Sequence, residues 1–132
     1  MDRHVLGWHH YYIQGPGGRE IAEAIIKPVP KALGEKIQGS YLFSSRGCRI
    51  DGAEYLHRLW VSPMYRRAGY GRRLLQEAIR HARSKGKHLV LRVTRFAPGG
   101  PYEEQLVQFY ADHGFVLLRE LRKQRVMVLL NY

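Results

Sequence analysis

The chain has 132 residues, 45% of them apolar, so it fits a single domain (1–132) with its own core rather than a disordered chain. Twenty-two Lys and Arg outnumber eleven Asp and Glu, and the formal net charge of +11 favours anionic partners such as phosphates or nucleic acid. A lone cysteine, Cys48, excludes an internal disulfide, and no apolar run is long enough to span a bilayer. The first residues also lack the apolar core of a signal peptide, so we expect a cytoplasmic protein with no membrane partner.

The excess positive charge is concentrated in one segment. Between Arg58 and Arg95 there are eleven Lys and Arg and one acid, Glu77, which gives that segment a net charge of +10. A solvated basic helix face would have this composition. An electrostatic funnel for a polyanion would have it too.

The first third of the chain consists mostly of strand-like stretches. HVLGWHHYYIQ is rich in aromatic residues, and the glycines of GPGG at 15–18 predict a turn. REIAEAIIKPVP fits either a helix face or a strand. KIQGSYLFSS at 36–45 is strand-like, and RGCRIDG predicts another turn.

The middle of the chain has a clearer pattern. EYLHRLWV alternates as a strand does, with Leu59 and Val61 on one face, and Ser62-Pro63 ends it. Apolar residues then recur at helical spacing, which predicts a helix from about Gly71 to Ser84 with Gly86 as its stop. The residues of this stripe are Leu74, Leu75, Ala78, Ile79 and Ala82.

The last third predicts a strand, a helix and two further strands. HLVLRV is a short buried strand, FAPGGP is a loop, and a helix runs from Pro101 to His113 with Gly114 as its stop. FVLLREL and RVMVLLNY predict closing strands, antiparallel across the basic turn around Lys123. The order of elements indicates an α/β or α+β domain around one mixed sheet.

The stretch YRRAGYGRRLL, where the central strand passes into the first long helix, has the composition of an anion site. The first N–H groups of a helix lack partners, and the helix dipole favours negative charge there. Gly69 and Gly71 would let an anion approach the backbone, and four arginines supply positive charge. The spacing is neither GxxxxGK[ST] nor GxGxxG, which argues against a P-loop and a dinucleotide fingerprint.

The wider segment LHRLWVSPMYRRAGYGRRLLQEAI resembles the central motif of the GNAT N-acetyltransferase superfamily. The family pattern [QR]-x-x-G-x-[GA] is matched by Arg66, Gly69 and Gly71. EEQLVQFYADHGFV resembles the family's later helix and strand, with Phe109-Tyr110 and Gly114-Phe115 at the matching places. The resemblance covers about residues 54–116, and two motifs in the right order are more specific than either alone.

The resemblance implies acetyl-CoA as a co-substrate and a primary amine as the acceptor. The pyrophosphate would lie on the backbone of the loop, and the pantetheine arm would run along the strand end like an additional strand. The loop residues are Arg66, Arg67, Ala68, Gly69, Tyr70 and Gly71, with Arg72 at the helix start, and the strand residues are Leu59, Trp60 and Val61. One of the strand N–H groups would also bind the acetyl carbonyl.

The resemblance assigns Tyr110 as the proton donor to the leaving thiolate, although a tyrosine that only packs in the core would fit the pattern too. The family's glutamate base falls at Tyr55. Glu54 is adjacent, but on the other face of the strand unless a bulge intervenes. His57 shares the face of Tyr55 and titrates near neutral pH. We expect His57 first and Glu54 second as the base; a water chain, and ordinary solvated or packed positions for both residues, remain open.

Two departures from the family pattern affect the expected site. The asparagine often found after the following strand is missing, because VTRFAPGGPYEE occupies that place. The segment before the motif, where the family usually has two helices, is short or strand-like. We therefore expect a GNAT-like, mostly antiparallel sheet with flanking helices and a reduced N-terminal helical part. The acceptor pocket is then open, or is completed by a second subunit in a homodimer.

Several alternatives remain at this stage. His4, His9 and His10 fit no standard zinc spacing, so we expect no metal. The acceptor could be a protein lysine or N-terminus, a small amine, or an aminoacyl-tRNA. The rival interpretation is a basic nucleic-acid-binding or tRNA-directed module that has the fold without the catalysis. A third interpretation is a GNAT-fold enzyme that uses a different acyl-CoA as the donor.

Overall fold

The computed structural model describes residues 2–5 (backbone only), 8–94 and 103–131. Within these ranges the strands are β1 Asp2–Val5, β2 Trp8–Gln14, β3 Glu20–Pro28, β4 Ala53–Val61, β5 His88–Arg92, β6 Val116–Leu117 and β7 Val126–Leu129. The helices are α1 Lys31–Gln38, α2 Tyr41–Ser45, α3 Tyr70–Ser84 and α4 Glu103–Ala111. Short 3₁₀ turns occupy 16–18, 50–52, 63–65 and 119–124.

The described strands form one sheet in the order β1-β2-β3-β4-β5-β7-β6. Every neighbouring pair is antiparallel except β4 and β5, which are parallel and are joined by α3. This arrangement confirms the predicted mixed, mostly antiparallel sheet. It also places the only parallel pair of the described strands at the predicted central motif.

Helices cover both faces of the sheet. The predicted stripe of α3 is buried on one face, in an apolar cluster that also contains Tyr110 and Phe115. On the other face, Leu33 and Ile37 of α1 and Phe43 of α2 form a second cluster with the underside of β4, β5 and β7. Among the described residues, no helix is long and apolar enough to cross a bilayer.

The prediction of a strand at 36–45 is wrong, because residues 36–38 end α1 and residues 41–45 form α2. Leu33 and Ile37 lie four residues apart and bury the same face of α1. The Ser40 hydroxyl donates to Ile37 O at 2.6 Å, ending α1, and accepts from Phe43 N at 3.4 Å, starting α2. The reduced helical part is therefore two short helices in the connection from β3 to β4.

The first of the two closing strands is shorter than predicted. Only Val116–Leu117 pair with β7, and Arg119–Gln124 form a 3₁₀ turn instead of extending the strand. Leu118 and Leu121, three residues apart, are both buried in the second cluster, a spacing that a 3₁₀ turn brings to one side. The predicted antiparallel pairing with β7 is confirmed, whereas the predicted FAPGGP loop lies outside the described residues.

The predicted end of α3 is confirmed at Gly86. Gly86 has a φ of +67°, Lys87 N donates to Ala82 O at 2.9 Å, and Gly86 N donates to Arg83 O at 3.0 Å. These two bonds satisfy the last carbonyls of the helix in a Schellman arrangement. The chain then turns directly into β5, which fixes β5 beside β4.

Candidate functional site

β4 and β5 are paired over only part of their length. The parallel ladder runs from Ala53 opposite His88 to Leu56 opposite Leu91, while β4 continues to Val61. From residue 57 onward this edge of β4 has no partner among the described strands. An extended ligand could add itself to the free edge, because a strand edge presents unpaired N–H and C=O groups.

A β-bulge lies at the point where the two strands part. Arg58 is opposite Ile25 of β3 and Leu56 is opposite Ile26, so His57 is the extra residue in β4. The bulge shifts the alternation: Leu56, Leu59 and Val61 all belong to the cluster under α3. His57 is exposed on the opposite face, where its ring meets that of Tyr55 at 6.1 Å between centroids.

Two residues at the end of β4 direct backbone groups to the free edge. Ser62 N donates to Ile21 O of β3 at 2.7 Å, so the backbone of Trp60 also faces β3. Leu59 and Val61 then face the other way. Arg66 Nε donates to Val61 O at 3.1 Å, which fixes the following loop to the strand end and leaves the N–H groups of Leu59 and Val61 directed at the edge.

The loop after β4 ends in an uncapped helix start. Gly69, the N-cap of α3, has a φ of +87°, which favours glycine, and offers no side chain to accept from the first N–H groups. Gly71 follows in the first turn. A Cβ there would meet only Val61 Cγ2, at an ordinary 3.6 Å, so packing against this protein does not require a glycine. The same contact shows that the helix start adjoins the free edge of β4.

The surroundings of the helix start are strongly basic. Arg67, Ala68, Arg72 and Arg73 are exposed, and no acid occupies the first turn of α3. Tyr70 begins the helix, half-buried, with its ring 6.3 Å from that of Tyr65. The predicted loop residues therefore combine exposed arginines with an acid-free helix start at the end of β4, and the anion site itself stays a prediction.

The environment of His57 favours the neutral imidazole, which can accept a proton. Burial by its neighbours lowers the pKa of His57 below its ordinary value of 6.5, and the positive charges of Lys27 and Arg58 lower it further. The imidazole is consequently neutral at pH 7. His57 lies at the parting of β4 and β5, and its role as the base stays a prediction.

Glu54 lies elsewhere. Its carboxylate is buried under the C-terminal end of α3, with His81 Nε2 at 3.3 Å from Oε2 and Lys85 Nζ at 3.7 Å from Oε1. The Tyr11 hydroxyl lies 3.0 Å from His81 Nδ1 and extends this polar cluster into β2. Glu54 points to the α3 face, and the bulge that could have redirected it comes three residues too late. The structure favours a packing role for Glu54.

Tyr110 is buried in the cluster under α3 and α4, between the rings of Phe109 and Phe115. Leu56 and Leu91, the last pair of the β4–β5 ladder, belong to the same cluster. Burial raises the pKa of the Tyr110 phenol well above its ordinary value, so the hydroxyl stays protonated. Tyr110 and His57 therefore lie on opposite faces of the sheet.

The face of the sheet that carries His57 has polar residues that the sequence patterns did not single out. Glu23 of β3 forms an ion pair with Arg58 Nε at 2.8 Å and a hydrogen bond with His10 Nε2 at 3.0 Å, and the Arg58 guanidinium lies 5.5 Å from the Trp60 ring centroid. Glu20, turned to this face by a bulge in β3, lies 3.9 Å from His10. His10, Glu20 and Glu23 could hold a cation, since their ligand atoms lie within 4.8 Å of one another. Glu23 is, however, already neutralised by Arg58.

Comparison with known proteins agrees with the geometry. A family model described as "Acetyltransferase (GNAT) domain" matches residues 32–117, well over half of the chain. A comparison with curated protein sequences gives no significant match.

Solved structures share the fold at low sequence identity. Tetrahymena GCN5 superposes with a TM-score of 0.59 at 11% identity, over 97% of this chain and 71% of that one. An N-acetyltransferase from Thermoplasma acidophilum, solved with coenzyme A, gives 0.58 at 18% identity, over 95% and 60%. A GNAT-family protein from Desulfovibrio desulfuricans gives 0.56 at 20% identity, over 84% and 56%, so the chain spans little more than half of that relative. On the strength of the family match and the shared fold, the chain belongs to the GNAT acetyltransferase family.

Proposed function

We propose that the protein is an acyltransferase that binds acetyl-CoA and transfers the acetyl group to a primary amine. The observation that carries this proposal is the junction of two unsatisfied features: the free edge of β4 and the uncapped, glycine-containing start of α3. A diphosphate fits the second and an extended amide chain fits the first. Coenzyme A has both parts in one molecule.

The loop would hold the diphosphate through the N–H groups of the first turn of α3, with Arg67 and Arg72 neutralising its charge. Gly71 supports this assignment, since no neighbouring atom of the protein explains its missing side chain. The N–H groups of Leu59 and Val61 would orient the pantetheine arm and polarise the acetyl carbonyl. The thioester would then lie beside the parting of β4 and β5.

The reaction needs a neutral amine, a polarised carbonyl and a proton for the leaving sulfur. Acetyl-CoA supplies the acetyl group on a thioester. His57 would accept a proton from the amine as the nitrogen forms its bond to the acetyl carbon and the carbon–sulfur bond breaks. Tyr110 would donate a proton to the sulfur from the other face. Tyr110→Phe should then lower turnover at least tenfold with coenzyme A affinity unchanged; unchanged turnover would make Tyr110 a packing residue only.

A titration with acetyl-CoA tests the proposal. At a hundredfold excess over Kd, acetyl-CoA should raise the free energy of unfolding by about 2.7 kcal/mol, measured by chemical denaturation. Consumption of acetyl-CoA in the presence of an amine panel, followed as free thiol, tests transfer. Absence of any stabilisation at millimolar acetyl-CoA would contradict the proposal.

A nucleic-acid function remains the second candidate, because the exposed face of α3 carries Arg72, Arg73 and Arg83 in addition to the loop. Binding of RNA or DNA through this surface would weaken steeply as salt rises. Acetyl-CoA should compete with the nucleic acid if both use the loop. An acetyltransferase that acts on aminoacyl-tRNA would show both salt-dependent RNA binding and stabilisation by acetyl-CoA.

A further inference from the structure

The face of the sheet opposite α3 carries a compact group beside His57, which we name the Lys27 cluster: Trp8, Lys27, Tyr55 and His57. Lys27 and Tyr55 are direct cross-strand neighbours of β3 and β4. The Lys27 ammonium lies 4.9 Å from the Trp8 ring centroid and 5.9 Å from that of Tyr55. The His57 ring meets the same two rings, at 5.8 and 6.1 Å. The ammonium and the candidate base are thus held by a shared pair of aromatic rings.

Lys27 differs from its neighbour Arg58 in having no acidic partner. On this face, among the described residues, Glu23 pairs with Arg58 and His10, and Glu20 approaches His10. Within the part of the chain that the structure describes, the Lys27 ammonium meets these two rings and no carboxylate. Its field nevertheless reaches His57, whose pKa it lowers. An ammonium half-buried against aromatic rings and lacking a carboxylate is prepared to bind an anion from outside the protein.

Trp8, Lys27 and His57 are the accessible members of the Lys27 cluster, whereas Tyr55 is 7% exposed and belongs to the second apolar cluster. α3 and α4 cover the other face, where Leu56, Leu59 and Val61 pack. His57 is exposed, and Trp8 retains 42% of its surface although it is a large aromatic residue. Arg92 of β5, exposed and close enough to influence the pKa of Tyr55, adds a further positive charge on this side. An acceptor that approaches His57 from solvent therefore passes the Trp8 ring and the positive charges of Lys27 and Arg92.

We propose that the acceptor is an amine that carries an anionic group, a carboxylate or a phosphate, and that Lys27 binds this anion while the amine faces His57. This inference rests on the proposed function and adds the class of acceptor. Polyamines and other acceptors with a second ammonium would be rejected, because like charges brought together across a binding surface are unfavourable. The aromatic rings would contact the carbon skeleton between the two groups.

Matched acceptors test the inference. The carboxylate arm compares glycine with glycinamide, the phosphate arm compares phosphoethanolamine with ethanolamine, and spermidine represents the polycations. Each ratio of kcat/KM is measured for the wild type, Lys27→Gln, Lys27→Glu and the control Lys36→Gln, an exposed lysine of α1. Comparing one ratio between variants cancels the intrinsic reactivity of the amines. Coenzyme A binding by each variant verifies that it is folded.

We expect at least one anionic acceptor to exceed its neutral partner in the wild type, and Lys27→Gln to lower that ratio about tenfold, the size of one lost charged contact. Lys27→Glu should favour spermidine, and Lys36→Gln should match the wild type. A preference for neutral or cationic amines that Lys27→Gln leaves unchanged would overturn the inference while the proposed function stands. Binding of coenzyme A with no acetylation of any panel member would overturn it too. Failure to bind coenzyme A would instead remove the proposed function, and the inference with it.

Discussion

The polar groups at the start of β4 are enclosed by the protein, whereas those at its end are left open. At its start, where β5 is paired with it, the Glu54 carboxylate is enclosed with His81, Lys85 and Tyr11. At its end, beyond the bulge at His57, the strand edge is free and the adjoining helix start has no capping side chain. Both ends carry ionisable residues, so residue type alone does not distinguish them.

The difference lies in how far the protein pairs its own groups. The Glu54 carboxylate is buried between His81, at 3.3 Å, and the Lys85 ammonium, at 3.7 Å, although its Oε1 atom has no hydrogen-bond partner among the described residues. A free edge beside uncapped N–H groups and a glycine without a packing reason leaves interactions for another molecule. The free end of β4 is therefore the candidate site, and its closed end is part of the core.

Among the substitutions at the two ends of β4, we expect His57→Gln to have the largest effect. Turnover should fall by about 10²–10⁴-fold, the usual contribution of a general base, with coenzyme A affinity unchanged. In the wild type the acid limb of kcat/KM should lie below pH 6.5, because the lowered pKa of His57 keeps the imidazole neutral down to that range. Lys27→Gln should move this acid limb to higher pH, because the positive charge of Lys27 lowers the pKa of His57. Turnover that survives the substitution would favour a water chain as the base.

The next largest effect is expected for Gly71→Glu. The new carboxylate would occupy and repel the diphosphate position, so we expect affinity for coenzyme A to fall by a factor of about 100 or more, or about 2.7 kcal/mol. Gly52→Glu is the matched control, since a Cβ there meets nothing within 4 Å, whereas one at Gly71 meets only Val61 Cγ2 at an ordinary 3.6 Å, and Gly52 lies in the turn before β4. Isothermal titration calorimetry measures both, and circular dichroism verifies the fold. Wild-type affinity in Gly71→Glu would exclude the loop as the diphosphate site.

At the closed end, Glu54→Gln should affect stability and leave the chemistry intact. The amide cannot balance the charge of Lys85 or accept as strongly from His81, so the free energy of unfolding should fall by about 1–3 kcal/mol. Glu35→Gln, on the exposed side of α1, is the control. Urea denaturation and turnover are measured on the same samples. A loss of turnover with unchanged stability would restore Glu54 as a candidate base.

The smallest effect is the pH dependence of stability. Burial, the largest influence, lowers the pKa of His81 below 6.5 and outweighs the opposing influence of Glu54; His57 and His88 shift in the same direction. Between 6.5 and the lowered values the unfolded chain binds more protons than the folded one, so stability falls as pH falls through this window. His81→Gln should flatten the decline between pH 7 and 5. An unchanged slope would assign the decline to other groups.

Sequence patterns predicted the fold well where they coincide with local rules. The α3 stripe, its stop at Gly86 and the loop around Gly69 follow from helical spacing and backbone conformation, and the family assignment is confirmed. The helices within 36–45 differ from the predicted strand because Ser40, buried between them, ends one helix and starts the next. The side of the strand on which Glu54 lies depends on the location of one bulge, which no residue type signals. Lys27 and Glu23 join the site only through the pairing of β2, β3 and β4.

The most direct test of the account is a crystal structure with coenzyme A. The account predicts hydrogen bonds from the pantetheine amides to the backbone of Leu59 and Val61, the diphosphate on the first turn of α3, and the thiol near the parting of β4 and β5. Coenzyme A bound on another surface, or a strand edge that stays unpaired at saturating ligand, would contradict it.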